Sequence, residues 1–382
     1  MAFGFDEAQE MFRREVANFA QKELAPGAKE RAKKDSIDRT TYKKLGDMGF
    51  LGLGIPEKYG GQPSDWTTVG ILVEELTKVD SSVGVVPAVC TLLASILLEM
   101  PEDLKNEWIP RVVSGDTLLC FCLTEPDCGS DAAALKTKAT KEGDSYILNG
   151  EKTSVTMGLQ ADAALIFAKT DPTAKARGIT LFLVPTDTPG ITKSAFPDMG
   201  FLPYGRASFI LDGVKIPASN QIGETGKAFY TAMHFFDVMR ACLGLNALAL
   251  AQTSLNEAIE YAKQRTAFGK PIAKFEGVSF KIAEAATLIE AARLLCYKTL
   301  WMVDNGLPTT KEAAMCKWWC PRVAVNAIHD CLLIHGHIGY SEEYPVEQRL
   351  RDAIGFEIAD GCADIQKIII SREIIGREFL PY

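Results

Sequence analysis

The pattern of apolar and polar positions divides the chain into three stretches of different period. Over roughly the first 115 residues the period is helical: Phe12, Val16, Phe19, Ala20 and Leu24 share one face, and Pro26-Gly27 punctuates its end. A loop with Tyr59-Gly60-Gly61 and Pro63 precedes a second helix predicted from near Thr67. Pro101 followed by Glu102 and Asp103 has the form of a helix start, with acidic side chains at the positive end of the dipole. The period changes near Thr117. Short β-rich runs follow at Leu118–Leu123, Tyr146–Leu148, Ala164–Ala168, Ile179–Val184 and Ser208–Leu211. Turn formers break them at Asp127–Gly129, Asn149-Gly150, Asp171-Pro172 and Pro189-Gly190, a spacing that fits an antiparallel β-domain better than βαβ units. From about Gly226 the helical period returns, with long segments at Ala228–Gln264, Phe275–Asn305 and Lys311–Leu333. The predicted class is α+β: an N-terminal helical domain (1–120), a central antiparallel β-domain (121–230) and a C-terminal four-helix-bundle-like domain (231–382).

Composition narrows the function classes. A chain of 382 residues, 47% hydrophobic, suits two or three packed domains. The net charge of −8 argues against a general nucleic-acid binder, while leaving room for an anionic ligand held by a local basic cluster. The apolar runs Ile71–Leu76 and Val83–Leu98 are short for a membrane span and read as buried helices. Met1–Glu10 is polar and acidic, unlike a secretory signal, and the ten cysteines lack the spacing of a disulfide scaffold. A soluble protein of the cytoplasm is expected.

The candidate chemistry lies in loops after strands and on two helices. Leu123 to Asp131 closes a strand and enters a turn whose Gly129 permits close backbone approach to a ligand; its hydroxyls and amides can bond a planar heterocycle or a phosphate. On chemistry alone the segment is equally a well-made turn, and Ser154-Val155-Thr156 an ordinary β-edge. Asp237 and Arg240, three apart on one helix, have the spacing of a surface salt bridge. Asp360 before Gly361 reads, in isolation, as a turn residue.

Together these segments carry a resemblance. Leu123–Asp131 resembles the TEPxxGSD signature of acyl-CoA dehydrogenases, and Asn149-Gly150-Glu151-Lys152 with Thr156 sits at that family's distance downstream. Asp237 and Arg240 resemble its Asp-x-x-Arg pair. Arg265–Ile272, His335–Tyr340, Tyr344–Glu347, Arg351-Asp352 and Asp360-Gly361 follow in order, so the match spans essentially the whole chain. The resemblance implies one FAD per subunit, with Phe121, Leu123, Thr124, Gly129, Ser130, Val155 and Thr156 matching flavin contacts. Phe275, Gly336 and Asp364 are further cofactor positions. Arg265 and Phe268 match positions that reach the FAD of a neighbouring subunit, which implies a homotetramer. Ser130, Asp237, Arg240 and Gly361 match acyl-CoA contacts. Electron-transfer flavoprotein is the implied acceptor.

The implied reaction removes two hydrogens across Cα–Cβ, which needs a base for the α-proton and a hydride acceptor at flavin N5. Asp360 matches the base. Charge grows on the thioester oxygen as the proton leaves; the family's donors to it are a flavin hydroxyl and the base residue's own N–H. Burial beside flavin and acyl chain is expected to raise the carboxyl pKa toward the working pH.

Several positions depart from the family. Asp360 stands where glutamate is usual, with Ala359 before it in place of a frequent aromatic. Some members carry the base just before the helix arginine, but here that neighbour is Met239. Ser154 replaces a common tryptophan, Glu276 and Leu333 replace glutamines, Cys362-Ala363-Asp364 replaces a run beginning Thr-Ser, and Leu202-Pro203-Tyr204 interrupts a loop that often offers Arg and Ser to CoA. Small residues at 154 and 359 point to a wide pocket for a cyclic, branched or aromatic acyl group, such as an alicyclic carboxyl-CoA. Rival readings on the same scaffold are an enoyl-CoA reductase, a ring 1,4-dehydrogenase, a desulfinase-like lyase (against which the carboxylate of Asp360 argues) and a scaffold subunit without FAD. No metal is expected: Cys331, His335 and His337 offer too few ligands, and Cys316 and Cys320 read as buried free thiols. No GxGxxG follows a strand, which argues against a dinucleotide-binding Rossmann domain.

Overall fold

The computed structural model describes residues 4–380. The first helix, α1 (Glu7–Phe19), starts at a capping box: the Asp6 carboxylate accepts the Gln9 N–H, and the Gln9 side chain accepts from the Asp6 N–H. A π-helical turn (Ala20–Leu24) prolongs it to Pro26 and left-handed Gly27, φ 86°. Then come α2 (Ala28–Arg31), α3 (Arg39–Asp47), α4 (Trp66–Val79), α5 (Val86–Leu97) and α6 (Glu102–Val113). The two apolar runs of the sequence lie in α4 and α5 and are buried almost throughout.

The sheet comprises β1 (Leu119–Cys122), β2 (Lys138–Glu142), β3 (Ser145–Val155), β4 (Ala163–Lys169), β5 (Ile179–Pro185), β6 (Ile191–Ala195), β7 (Ala207–Pro217) and β8 (Gln221–Ile222). Its order is β6-β7-β3-β2-β4-β5-β8, with β1 also against β4. The expected antiparallel domain needs one correction. β1 runs parallel to β4 (Leu119↔Ala163 to Cys122↔Ile166), and β2 meets β4 in parallel at Lys138↔Lys169. β2 and β6 escape the apolar pattern because Lys138–Glu142 and Ile191–Ala195 are largely exposed.

The two faces of the sheet explain the runs that were legible. In β4 and β5 nearly every residue is buried, because alternate side chains enter different cores. Ala164, Ile166, Phe182 and Val184 join the core of the β-domain itself. Leu165, Phe167, Leu181 and Leu183 face the other way and join the core shared with the helices.

The C-terminal region holds α7 (Ala228–Gln264), a small hairpin of β9 (Thr266–Ala267) and β10 (Lys270–Pro271), α8 (Glu276–Asp304), α9 (Thr310–His335), α10 (Val346–Ile358) and α11 (Ala363–Ile375). α7, α8 and α9 pack on one another, α10 and α11 lie on α9, and α4 packs on α7. By length and composition α7 could cross a membrane, yet 78% of its most apolar window is buried in the fold, as befits a central core helix. At Gly244 the helices approach so closely that a Cβ would lie 2.6 Å from the Cys296 sulfur.

A buried polar junction ties the three regions together. Arg31 pairs with Asp80 at 2.7 Å, and the neighbouring Ser81 hydroxyl donates to Asp352 of α10 at 3.0 Å. The Phe201 N–H donates to the same carboxylate at 2.6 Å, and the Tyr204 hydroxyl reaches the Ser81 carbonyl at 3.3 Å. Leu202-Pro203-Tyr204 is therefore a wedge against the helices, with Tyr204 buried and stacked on Phe201.

Candidate active site

The C-terminal end of α10 carries the candidate base. After Ile358, Asp360 (φ 52°) and Gly361 (φ 98°) take successive left-handed conformations that reverse the chain into α11. Glycine is required at 361: a Cβ there would lie 2.4 Å from the Gln366 amide nitrogen. Three side chains from three helices hold this turn. Arg240 of α7 donates through Nε to the Asp360 carbonyl (3.4 Å), Gln366 of α11 through Nε2 to the Gly361 carbonyl (3.2 Å), and Lys317 of α9 through Nζ to the Phe356 carbonyl (2.6 Å).

Electrostatics poise the carboxyl. Burial pushes the Asp360 pKa up from its ordinary 3.8, while the charges of Lys317 and then Arg240 pull the other way. Arg240 is itself buried, its Nη1 3.1 Å from Asp237, whose other oxygen accepts the Thr310 hydroxyl at 2.7 Å. The Asp-x-x-Arg pair is thus a buried ion pair aimed at the base-bearing turn, not the surface salt bridge its spacing alone describes. Met239, beside Arg240, is buried.

Lys317 escaped the sequence reading. The signal was there: a lone cation within Ala313–Cys320, a stretch otherwise apolar at helical spacing. Its side chain has no exposed surface. Burial lowers its pKa to about 8, with Asp360 opposing the drop.

The second wall comes from the ends of β1 and β3. The Thr153 N–H donates to the Thr124 carbonyl at 2.9 Å, which brings the two motif segments together. Beneath them Lys152, fully buried, bonds the Leu123 carbonyl (3.1 Å) and Glu125 (2.8 Å), and Glu125 also accepts the Lys136 and Thr137 N–H groups. Burial alone would raise the Glu125 pKa, but Lys152 holds it below the ordinary value. Two conspicuous motif residues, Glu125 and Lys152, therefore build the loop; they are not offered to a ligand.

What is offered fits a planar heterocycle with polar edges. Among the described residues the hydroxyls of Thr124, Ser130 and Thr156 make no hydrogen bond. Gly129 is open: a Cβ there would meet only the Thr124 methyl, at 3.8 Å. Val155 is buried behind Thr156, between left-handed Ser154 (φ 56°) and Met157 (φ 63°). Leu123 is buried too. The Phe121 ring stacks on Phe235 at 4.6 Å and leans on Phe167, so it couples β1 to α7 and leaves its main chain for a ligand. Asp364 opens α11 with an exposed carboxylate, 3.3 Å from Lys367.

The remaining cofactor candidates lie elsewhere on the chain. Arg265 ends α7, 25 residues from Arg240, or roughly 38 Å along the axis at 1.5 Å per residue. There Phe268 (95% exposed, φ 51°), Phe275 and Leu333 line a cavity of about 350 Å³, and the exposed Gly336 follows α9. Phe268 meets Phe275 edge-on, and Lys270 lies over the Phe275 ring at 4.2 Å. One copy of the chain does not bring this group to Asp360.

Among the described residues Cys331, His335 and His337 form no ligand cluster: His335 Nδ1 lies 2.8 Å from the Cys331 carbonyl oxygen, and His337 is exposed. The sulfurs of Cys296, Cys316 and Cys320 do gather within 4.8 Å of one another, all buried. All ten cysteines are free thiols.

Profiles for the N-terminal, middle and C-terminal domains of acyl-CoA dehydrogenase match residues 6–116, 120–214 and 226–375. The chain belongs to the acyl-CoA dehydrogenase family. It is 39% identical over 371 residues to an acyl-CoA dehydrogenase of Bacillus subtilis (strain 168), covering 96% of this chain and 98% of that one. To the 3-(aryl)acrylate reductase of Clostridium sporogenes it is 35% identical, covering 97% and 99%. Butyryl-CoA dehydrogenase of Megasphaera elsdenii superposes with TM-score 0.93 at 36% identity, covering 98% and 100%. A chain solved in work on the electron-transferring flavoprotein of Acidaminococcus fermentans gives 0.94 at 35%, also covering 98% and 100%. A glutaryl-CoA dehydrogenase of Mycobacterium smegmatis in complex with FADH2 gives 0.91 at 27%, covering 98% and 96%. This acyl-CoA dehydrogenase is an oxidoreductase acting on CH–CH groups, with FAD as cofactor.

Proposed function

We propose that Asp360 abstracts the α-proton of an acyl-CoA thioester whose acyl group is cyclic, branched or aromatic. The observation that carries this reading is the turn itself: a carboxylate on a left-handed residue, made more basic by burial, in a turn whose backbone carbonyls are held by the buried cations Arg240 and Lys317. Bound FAD, held by Thr124, Gly129, Ser130, Val155 and Thr156, supplies the hydride acceptor. Asp360 takes the proton, and its own N–H, which donates to no acceptor among the described residues, is available to the thioester oxygen as charge develops there. Arg240 fixes the carbonyl of the same residue, so base and donor are positioned as one unit. Met239 puts no carboxylate at the position just before Arg240, where some members carry the base. Asp360 is one methylene shorter than the usual glutamate, and with the small Ala359 before it and the small Ser154 at the end of β3 it makes room for a bulky acyl group; Ser130, Asp237, Arg240 and Gly361 are assigned to the acyl-CoA.

The assembly we propose is a homotetramer, in which Arg265, Phe268, Phe275, Gly336 and Asp364 complete FAD sites, those at the far end of α7 serving a neighbouring copy. An aromatic ring 95% exposed beside an apolar cavity, roughly 38 Å from the turn of Asp360, supports it. An electron-transfer flavoprotein as acceptor is supported by the work in which one of the similar chains was solved. Free thiols throughout support a reducing cytoplasm. One observation favours a reductive direction on an arylacrylyl thioester: the 35% identical relative named 3-(aryl)acrylate reductase.

The test is anaerobic mixing of the yellow holoprotein with straight, branched, alicyclic and arylalkyl acyl-CoAs, following loss of flavin absorbance. Bleaching fastest with bulky acyl groups, and none in Asp360→Ala with its FAD retained, is the expected result. Wild-type bleaching in that variant removes Asp360 as base. A protein that takes up no FAD removes the flavoenzyme reading. Reoxidation of reduced enzyme by arylacrylyl-CoA, without the reverse reaction, favours the reductase.

A further inference from the structure

Lys317 matches no cofactor or substrate contact, yet it is a fully buried cation bonded to the helix end that leads into the turn of Asp360. It sits on α9 where Pro321, four residues on, has no N–H to give the Lys317 carbonyl. Its one side-chain hydrogen bond among the described residues runs from Nζ to the Phe356 carbonyl, 2.6 Å away, in the last turn of α10. That carbonyl belongs to the negative end of a helix, where a cation is favoured. Four residues later the chain reaches Asp360.

We infer that Lys317 is a positioning residue for the base: its ammonium anchors the end of α10 and supplies the positive field that keeps the Asp360 carboxylate ionised. The inference rests on the reading of Asp360 as base. The charged and titratable groups that act most strongly on the pair each have a place in it. On α7, Arg240 adds a second positive charge to Asp360 and repels Lys317, and Asp237 offsets it. On α10 and the turn after it, Glu357 and Cys362 act on Lys317 in the same sense as Asp360. Arg240 holds the carbonyl of Asp360 whether or not Lys317 is charged. Lys317 therefore acts both on the end of α10 that leads into the turn and on the ionisation of the carboxyl.

The experiment compares wild type, Lys317→Met and Lys317→Gln as holoproteins, the glutamine keeping a donor without the charge. The apparent pKa of Asp360 is read directly from its infrared carbonyl band, identified by its loss in Asp360→Asn. The acid limb of the flavin-bleaching rate is measured beside it. Both uncharged variants are expected to move the infrared titration and the acid limb upward together, by on the order of one pH unit. The glutamine variant is expected to keep more of the plateau rate. An infrared titration within about 0.3 units of wild type in either folded variant overturns the inference. Because the infrared band needs no turnover, the result stands even if no acyl-CoA bleaches the wild type, an outcome that counts against the proposed reaction alone.

Discussion

At the scale of single residues, chemistry is concentrated where the backbone is least relaxed. Of the six described non-glycine residues with positive φ, Ser154, Met157, Phe268 and Asp360 all fall in or beside motif segments. Asp360→Glu makes the sharpest test of the base, because the added methylene moves the carboxylate by about 1 Å. We expect bleaching by the preferred bulky acyl-CoA to fall by roughly 10²-fold, with a smaller loss for straight chains. Since burial raises the Asp360 pKa, wild-type activity should fall, as pH drops, at a value above the ordinary 3.8. Lys317 titrates with the opposite sign. With a folded pKa of about 8 against an ordinary 10.5, the unfolded chain binds more protons between those values, so this group makes stability rise with pH across that window. In Lys317→Met that rise should vanish from denaturation midpoints measured from about pH 8 to 10. The candidate base, the Asp-x-x-Arg pair and the open hydroxyls were legible as types in a known order. What Lys317 and Lys152 do was not, because a lysine in sequence carries no mark of burial, and burial turns a solvated charge into a structural one.

At the scale of elements, the loop after β1 depends on an ion pair with almost no access to water. Removing one partner leaves the other charge unpaired, so Lys152→Met should cost about 3–5 kcal/mol in chemical denaturation and release FAD. The Glu125 carboxylate, held below its ordinary pKa, adds stability that is complete above that value and is lost as pH falls through the folded one. Glu125→Gln should flatten this acid-side loss. In the bundle, Gly244→Ala forces a methyl against the Cys296 sulfur and should cost about 1–3 kcal/mol, much of it recovered by adding Cys296→Ala. The long helices α7, α8 and α9 were read nearly to their ends, since 37 residues of core periodicity in α7 leave little freedom, whereas α10 and α11 were read only as part of a helical domain. Strands were read nearly in full where both faces are buried, in β4 and β5, and only in part in the alternating β3 and β7. β2 and β6 are polar edge-like segments, and the parallel pairing of β1 with β4 depends on a return path that no local pattern encodes.

At the scale of the whole molecule, the Asp352 junction makes the three regions one body, and the exposed apolar end of the bundle points beyond it. Phe268→Asp should reduce the assembly in sedimentation velocity and lower flavin content in parallel, while Asp360→Ala leaves both unchanged. A Phe268→Asp protein that remains a fully flavinylated tetramer would count against the shared cofactor site.

The length of α7 has a genetic corollary. Its two ends would serve two different catalytic centres, so a lesion at residue 360 and a lesion at residue 268 disable complementary halves of a centre. Two inactive alleles, Asp360→Ala and Phe268→Asp, co-expressed in one cell should then restore part of the activity. Some centres in the mixed assembly draw the intact base from one chain and the intact clamp from the other. Two lesions at the same end should not complement.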